Sequence, residues 1–469
     1  MDFRLSELQQ KLASGDLSLI SVVEQFLHKI AAHRHLNAFI EVFETEAITR
    51  AEHVQEKIRQ GKAGRLYGLV AGIKDNICYK GHKATAASNM LQNFESLITA
   101  TAVERMLQED AILIGRLNCD EFGMGSTNEN SVYGPVCNFL DPSRVAGGSS
   151  GGCAVAVQAG LCHVALGSDT GGSVRTPASF CGVVGFKPSY GVVSRHGLIA
   201  YASSFDQIGI LASGVDAVIA VLNVIAGPDE YDSTLIPRGL SRPEPAGNPF
   251  PRIAYFRQAL EHQGLDTEIK SALQHQIAQL RDCGHVVDEL DFPLLDYLVP
   301  SYYILTTAEA SSNLSRYDGV RYGYRSAAAD QLETLFTRSR SEGFGREVKR
   351  RIMLGTFVLS AGYQDAYYAR AQKVRQLIFS HTRKIFSEYD FILSPATPTI
   401  AWRLGEMVHH PVEMYLSDVY TVHANLAGLP AVSLPMGTHS TGMPFGVQLM
   451  AARYADLHLL EFARLMMQD

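Results

Sequence analysis

Apolar residues recur at helical spacing over residues 1–60: Leu5, Leu8 and Leu12, then Leu19, Val22, Val23, Phe26, Leu27 and Ile30. This period predicts amphipathic helices. Ser21 followed by Glu24 predicts a capping box, with Ser18 as the alternative cap. Residues 67–77 (Tyr-Gly-Leu-Val-Ala-Gly-Ile-Lys-Asp-Asn-Ile) read as a buried strand running into a turn, 99–109 as a helix and 111–115 as a short strand. Helix alternating with strand predicts an α/β sheet covered on both faces. Further on, 265–282 and 326–380 read as polar helices. Residues 389–435 read as short apolar strands punctuated by proline, and the proline-rich run 237–251 as a connector.

Between 147 and 191 the texture changes. Eleven of these 45 residues are glycine, and serine and threonine are dense. The runs Val155–Ala159, Val164–Leu166 and Val183–Val184 keep the stretch apolar enough to be buried. Such backbone serves where a chain turns sharply or approaches a ligand closely.

Composition narrows the class. The chain has 469 residues, 46% hydrophobic and 19% charged, which excludes a disordered, collagen-like or coiled-coil protein. A net charge of −7 argues against a main electrostatic partner of nucleic acid. The seven cysteines are odd in number and show no CxxC pair, and HExxH is absent, so neither a disulfide framework nor a metal site is expected. The start, Met1-Asp2-Phe3-Arg4-Leu5-Ser6-Glu7, does not read as a signal peptide, and the apolar stretch near 215–226 is broken by Asp216 and Asn223. A soluble, cytoplasmic protein is expected, with an organelle matrix as the alternative.

Several catalytic schemes fail on residue supply. His163 is the sole histidine between Asn118 and Gly191 and sits in an apolar run, where it reads as a packing residue. Gly148-Ser149-Ser150-Gly151-Gly152 matches GxSxG, but a turn-rich loop precedes it where a nucleophile elbow needs a strand. No GxxxxGK[ST] is present. What remains is Lys74 together with Ser149 and Ser173, both serines in glycine-rich loops. A lysine acts as a base when burial keeps it neutral. A hydroxyl between lysine and nucleophile relays the proton, and the successive N–H groups of Thr170, Gly171, Gly172 and Ser173 suit an oxyanion hole. Taken singly, each serine reads sooner as a helix cap or turn residue than as a catalytic group. Arg350 and Arg351, in Arg346-Glu347-Val348-Lys349-Arg350-Arg351, read by themselves as a solvated basic helix face.

Three stretches taken together are similar to the amidase signature: Gly147-Gly148-Ser149-Ser150-Gly151-Gly152, Gly167-Ser168-Asp169-Thr170-Gly171-Gly172-Ser173-Val174-Arg175 and Cys181-Gly182-Val183-Val184-Gly185-Phe186-Lys187-Pro188. The spacings agree as well, 75 residues from Lys74 to Ser149 and 24 from there to Ser173. Further stretches resemble the A subunits of glutamyl-tRNA(Gln)/aspartyl-tRNA(Asn) amidotransferases: Asp120 to Ser131, Asp318 to Arg325, Glu347 to Gly355 and Met414 to Asp418. Departures are small: Ala146, Cys153 and Gly123 stand where proline, a small residue and alanine are usual.

The resemblance implies a single amidase domain over 1–469, with a mixed central β-sheet, a signature core over 61–235 carrying the catalytic residues and a mostly helical region over 253–388. It implies Ser173 as the acyl-ester nucleophile, Ser149 as a bridging serine with a cis peptide, and Lys74 as the base. It places glutamine against Met124, Gly125 and Ser126, its α-carboxylate on Arg351 and its α-amino group on Asp418. No cofactor is expected in this chain. ATP and Mg²⁺ belong to a partner B subunit, which also handles the misacylated tRNA, while a small C subunit completes a heterotrimer. A stand-alone amidase with another substrate and a catalytically silent scaffold are the alternatives.

Overall fold

The computed structural model describes residues 4–237, 240 and 250–467. The connector expected over 237–251 lies almost wholly outside the described residues.

Eleven strands are described: β1 Phe39–Val42, β2 Val70–Lys74, β3 Ile112–Leu117, β4 Val164–Asp169, β5 Val184–Lys187, β6 Gln207–Ala212, β7 Arg252–Phe256, β8 Val286–Leu290, β9 Phe391–Pro395, β10 Ala431–Thr438 and β11 Pro444–Ala451. They form one sheet in the order β1-β3-β2-β4-β6-β5-β10-β11-β9-β7-β8. It is mixed: β2 runs parallel to β3 and β4, and β7 to β8 and β9, while the other pairs are antiparallel.

Successive side chains of a strand point to opposite faces, so a strand buried on both sides must feed two cores. This one does. Ile112 and Ile114 of β3 and Ala165 of β4 join one apolar cluster; Leu113, Val164 and Leu166 join the other. Helices Leu19–Ala32, Glu44–Arg59 and Gly151–Gln158 cover the first face. Thr101–Gln108, Val215–Ile225 and Leu295–Asn313 contribute to the second. The sheet is therefore covered on both sides. Among the described residues no helix is long and apolar enough to cross a membrane.

Three local expectations change. The second helix starts at Leu19 behind Ser18, so Ser21 lies inside it. The helix's first amide does not need a serine cap, because the neighbouring helix supplies Gln55 Oε1, which accepts from Leu19 N at 2.7 Å. Residues 39–42, within the helical-looking start, form β1 as the edge of the sheet. The stretch 389–435 contains two short helices, Pro411–Leu416 and Val422–Ala427, beside its strands. The second is buried at every position, so it shows no amphipathic period and reads like a buried strand.

Parallel neighbours β2 and β4 end on the same edge of the sheet, with Ile73 opposite Leu166. In that register β2 ends at Lys74 while β4 runs on to Asp169, so both strands finish at the same edge. In open α/β sheets the carboxyl ends of parallel strands are where ligand sites form.

Candidate active site

Lys74 is fully buried. Its Nζ lies 2.6 Å from Ser149 Oγ and 2.9 Å from both Ser150 Oγ and Ser168 Oγ. Burial lowers its pKa from the ordinary lysine value, since a dry site penalises the ammonium. Ser149 reaches this position from a loop whose Gly148–Ser149 peptide is cis, immediately before helix Gly151–Gln158. The glycines opening that helix have a packing reason: a Cβ on Gly152 would come 2.4 Å from Asn118 O and 2.7 Å from Ala38 O.

Ser173 sits in the turn after β4 and is half-buried; its carbonyl accepts the Ser150 amide at 3.0 Å. Among the described residues nothing hydrogen-bonds its hydroxyl. The structure thus brings Lys74 and Ser149 into direct contact, and ties the Ser173 backbone to the residue after Ser149.

The turn that carries Ser173 is held by Asp169 and Arg175, both fully buried. Arg175 grips the carboxylate with Nε at 3.1 Å and Nη2 at 2.9 Å, and also donates to Thr421 O, Gln448 Oε1 and Asn425 Oδ1. Burial alone would raise the Asp169 pKa, but the guanidinium outweighs it and holds the group at about 2. Asp169 then accepts Gly172 N at 3.0 Å and Val174 N at 3.1 Å. One of the amides expected as oxyanion donors is thereby engaged. The Gly172 amide is taken by Asp169, whereas the amides of Thr170, Gly171 and Ser173 have no acceptor among the described residues. Gly171 must be glycine here, since a Cβ would come 2.3 Å from the Tyr302 ring.

Beside this centre lies a second cluster. Asp418 Oδ2 accepts from Tyr303 OH at 2.7 Å, and Ser126 Oγ lies 3.3 Å from Oδ1. Burial raises the Asp418 pKa to about 6, against the opposing pull of Tyr303 and Arg351. Arg351 is 3% exposed, not on a solvated face; Arg350 keeps that position at the surface. The Arg351 guanidinium lies 5.2 Å from the Tyr303 ring centroid and 5.3 Å from that of Tyr415. Its Nη1 donates to Tyr201 OH at 3.0 Å, while Nη2 is buried with no hydrogen-bond partner. A buried donor left unpaired costs about 1–3 kcal/mol, so such an atom marks a place where an acceptor would be stabilising.

Three connections join the two clusters. Ser126 O accepts the Gly148 amide at 2.8 Å while its hydroxyl reaches Asp418. Thr170 Oγ1 donates to Asp206 Oδ1, whose other oxygen accepts the amide of Tyr201. Tyr302 packs on Gly171 while its neighbour Tyr303 serves Asp418. Met124 is buried, and Gly125 packs directly on Asp120, which folds the 120–131 loop by accepting the amides of Asn128 and Asn130. Sequence reasoning assigned no role to Ser150, Ser168, Asp169, Arg175, Asp206, Tyr201 or Tyr303. Asp169 alone left a local signal, an Asp three residues before a glycine turn position.

The family model for Amidase matches residues 21–460. The A subunit of the glutamyl-tRNA(Gln) amidotransferase of Chlorobium phaeobacteroides is 46% identical over 98% of this chain and 98% of that protein. Its namesake from Salinibacter ruber is 44% identical over 99% of each. The crystal structure of the corresponding Thermotoga maritima protein superposes with a TM-score of 0.80 at 36% identity, covering 100% of this chain and 96% of that one.

Proposed function

The chain belongs to the amidase family, and from that premise we propose that it is the glutaminase subunit of a tRNA-dependent amidotransferase. One observation carries the reading: a buried guanidinium nitrogen without a partner among the described residues and a buried carboxylate meet on one tyrosine, Tyr303, in the same interior as a lysine–serine centre. Free glutamine presents one carboxylate and one ammonium, which such a pair matches, and a plain amide has no use for both. The relatives' near-full-length similarity points the same way.

In this reading neutral Lys74 is the proton sink. A neutral amine has a lone pair, so one of its three hydroxyl neighbours donates to it; Ser149, the nearest at 2.6 Å, takes that part. Ser149 in turn takes the proton of Ser173 as Ser173 Oγ bonds to the side-chain carboxamide carbon of glutamine. The developing oxyanion is held by the amides of Thr170, Gly171 and Ser173. When the C–N bond breaks, the relayed proton leaves with ammonia. Water then cleaves the glutamyl ester on Ser173, returning its proton through the same relay and releasing glutamate. Met124, Gly125 and Ser126 line the glutamine, Arg351 grips its carboxylate and Asp418 its ammonium. The ammonia goes to a partner B subunit, to which ATP, Mg²⁺ and misacylated tRNA are assigned, with a C subunit completing a cytoplasmic heterotrimer. The acceptor is Glu-tRNA(Gln), with Asp-tRNA(Asn) as the other candidate.

The test is co-expression with candidate B and C subunits, followed by assay of ammonia release from glutamine and of amidated tRNA with and without ATP. Ammonia release coupled to ATP-dependent tRNA amidation is expected. Cleavage of other amides without glutamine hydrolysis would instead indicate a stand-alone amidase. Absence of any serine-directed acyl adduct on Ser173 would indicate a scaffold.

A further inference from the structure

Glu347 takes no part in the chemistry above, yet it is 4% exposed and lies one helical turn before Arg351 in helix Arg346–Leu359. At that spacing the two side chains stack on one face. We propose that Glu347 is a positioning residue that aims Arg351 and so sets the preference for an amino acid over a plain amide; this rests on Arg351 being the carboxylate grip.

Glu347 Oε1 accepts from Arg351 Nε at 2.9 Å and from Tyr415 OH at 2.6 Å. A guanidinium is planar. Holding Nε on Glu347 and Nη1 on Tyr201 therefore fixes both its plane and its rotation, leaving Nη2 as the open nitrogen. Glu347 thereby closes the Nε edge, so a ligand carboxylate must approach from the Nη2 side. Tyr415 gains a fixed place as well: its ring stacks on Tyr303 with centroids 4.1 Å apart, and Tyr303 holds Asp418. One glutamate oxygen thus sets both the guanidinium and the ring beside it. The other oxygen has its own partner, Arg350 Nη1 at 2.5 Å, so the carboxylate stays paired whether or not Arg351 is engaged by substrate.

The experiment compares Glu347→Ala and Glu347→Gln in the full chain assembled with its partner subunits, on glutamine and on butyramide, which lacks both charged groups. Glutamine at position 347 keeps an oxygen for Arg351 Nε and Tyr415 OH; alanine does not. Alanine is expected to raise KM for glutamine by about tenfold or more with kcat within about threefold, and to lower the glutamine-over-butyramide ratio of kcat/KM to match, with the conservative variant near wild type. A wild-type KM in Glu347→Ala overturns the proposal. So does equal loss in both variants, or a fall in kcat on both substrates together, the mark of a merely structural residue. Wild-type protein that cleaves butyramide but not glutamine overturns the underlying reading of the pocket, an outcome visible before either variant is made.

Discussion

Around Lys74 and Asp169 the polar side chains are wired to one another, whereas around Arg351 one side-chain donor is left bare. Lys74 has three hydroxyl neighbours within 2.9 Å, and Asp169 is fully engaged by Arg175 and two backbone amides. In the neighbouring pocket Nη2 of Arg351 has no partner, and Asp418 is held by two hydroxyls with no cation bonded to it among the described residues. A reacting centre benefits from groups that need not reorganise during the reaction. A specificity pocket benefits from groups that only the right ligand satisfies. In the proposed function the first region carries the chemistry and the second selects the substrate.

The strongest way to break that division is Ser173→Ala. Loss of about 10⁴-fold or more in kcat is expected, with glutamine affinity by calorimetry little changed; retained turnover would remove the reacting centre from this region. Next comes stability. Arg175→Met leaves Asp169 charged and unpaired in a dry interior and is expected to cost about 3–5 kcal/mol in urea unfolding. Arg351→Met is expected to cost under about 2 kcal/mol, because it also removes an unsatisfied donor and leaves Glu347 paired with Arg350. Equal losses would show both arginines to be structural.

Asp418→Asn sharpens the other side, with KM for glutamine expected to rise about tenfold to a hundredfold and kcat less affected. The smallest effect is on pH. The raised pKa of Asp418, about 6, means that its charge is lost as pH falls through that value, so KM for glutamine should climb below pH 6, and Asp418→Asn should flatten that climb. Protonation of Lys74 removes the base in the same direction: kcat falls with falling pH, and the limb lies below the ordinary lysine range because burial has lowered its pKa. A KM that stayed flat through pH 6 while kcat fell would separate Asp418 from binding.

What the chain reveals before it folds follows the same division. Glycine density and residue supply leave Lys74, Ser149 and Ser173 as candidates, and the resemblance is what assigns them their roles. The Gly172 amide reads as a free donor in the sequence, although Asp169, three residues before it, accepts from it in the folded turn. Arg351 by itself reads as a surface charge, since helical period tells which residues share a face but not which neighbour covers that face; here the neighbours are Tyr201, Tyr303 and Tyr415.

The amino-acid sequence by itself determined the α/β alternation, the buried glycine-rich turns and the supply of a lysine and two serines, because periodicity, backbone freedom and residue chemistry are local properties. Tertiary structure decided which amides remain open, which carboxylates are neutralised and which arginine is inside. Those depend on residues hundreds of positions apart meeting in one dry pocket, where solvent no longer screens charge or satisfies an unpaired hydrogen-bonding group.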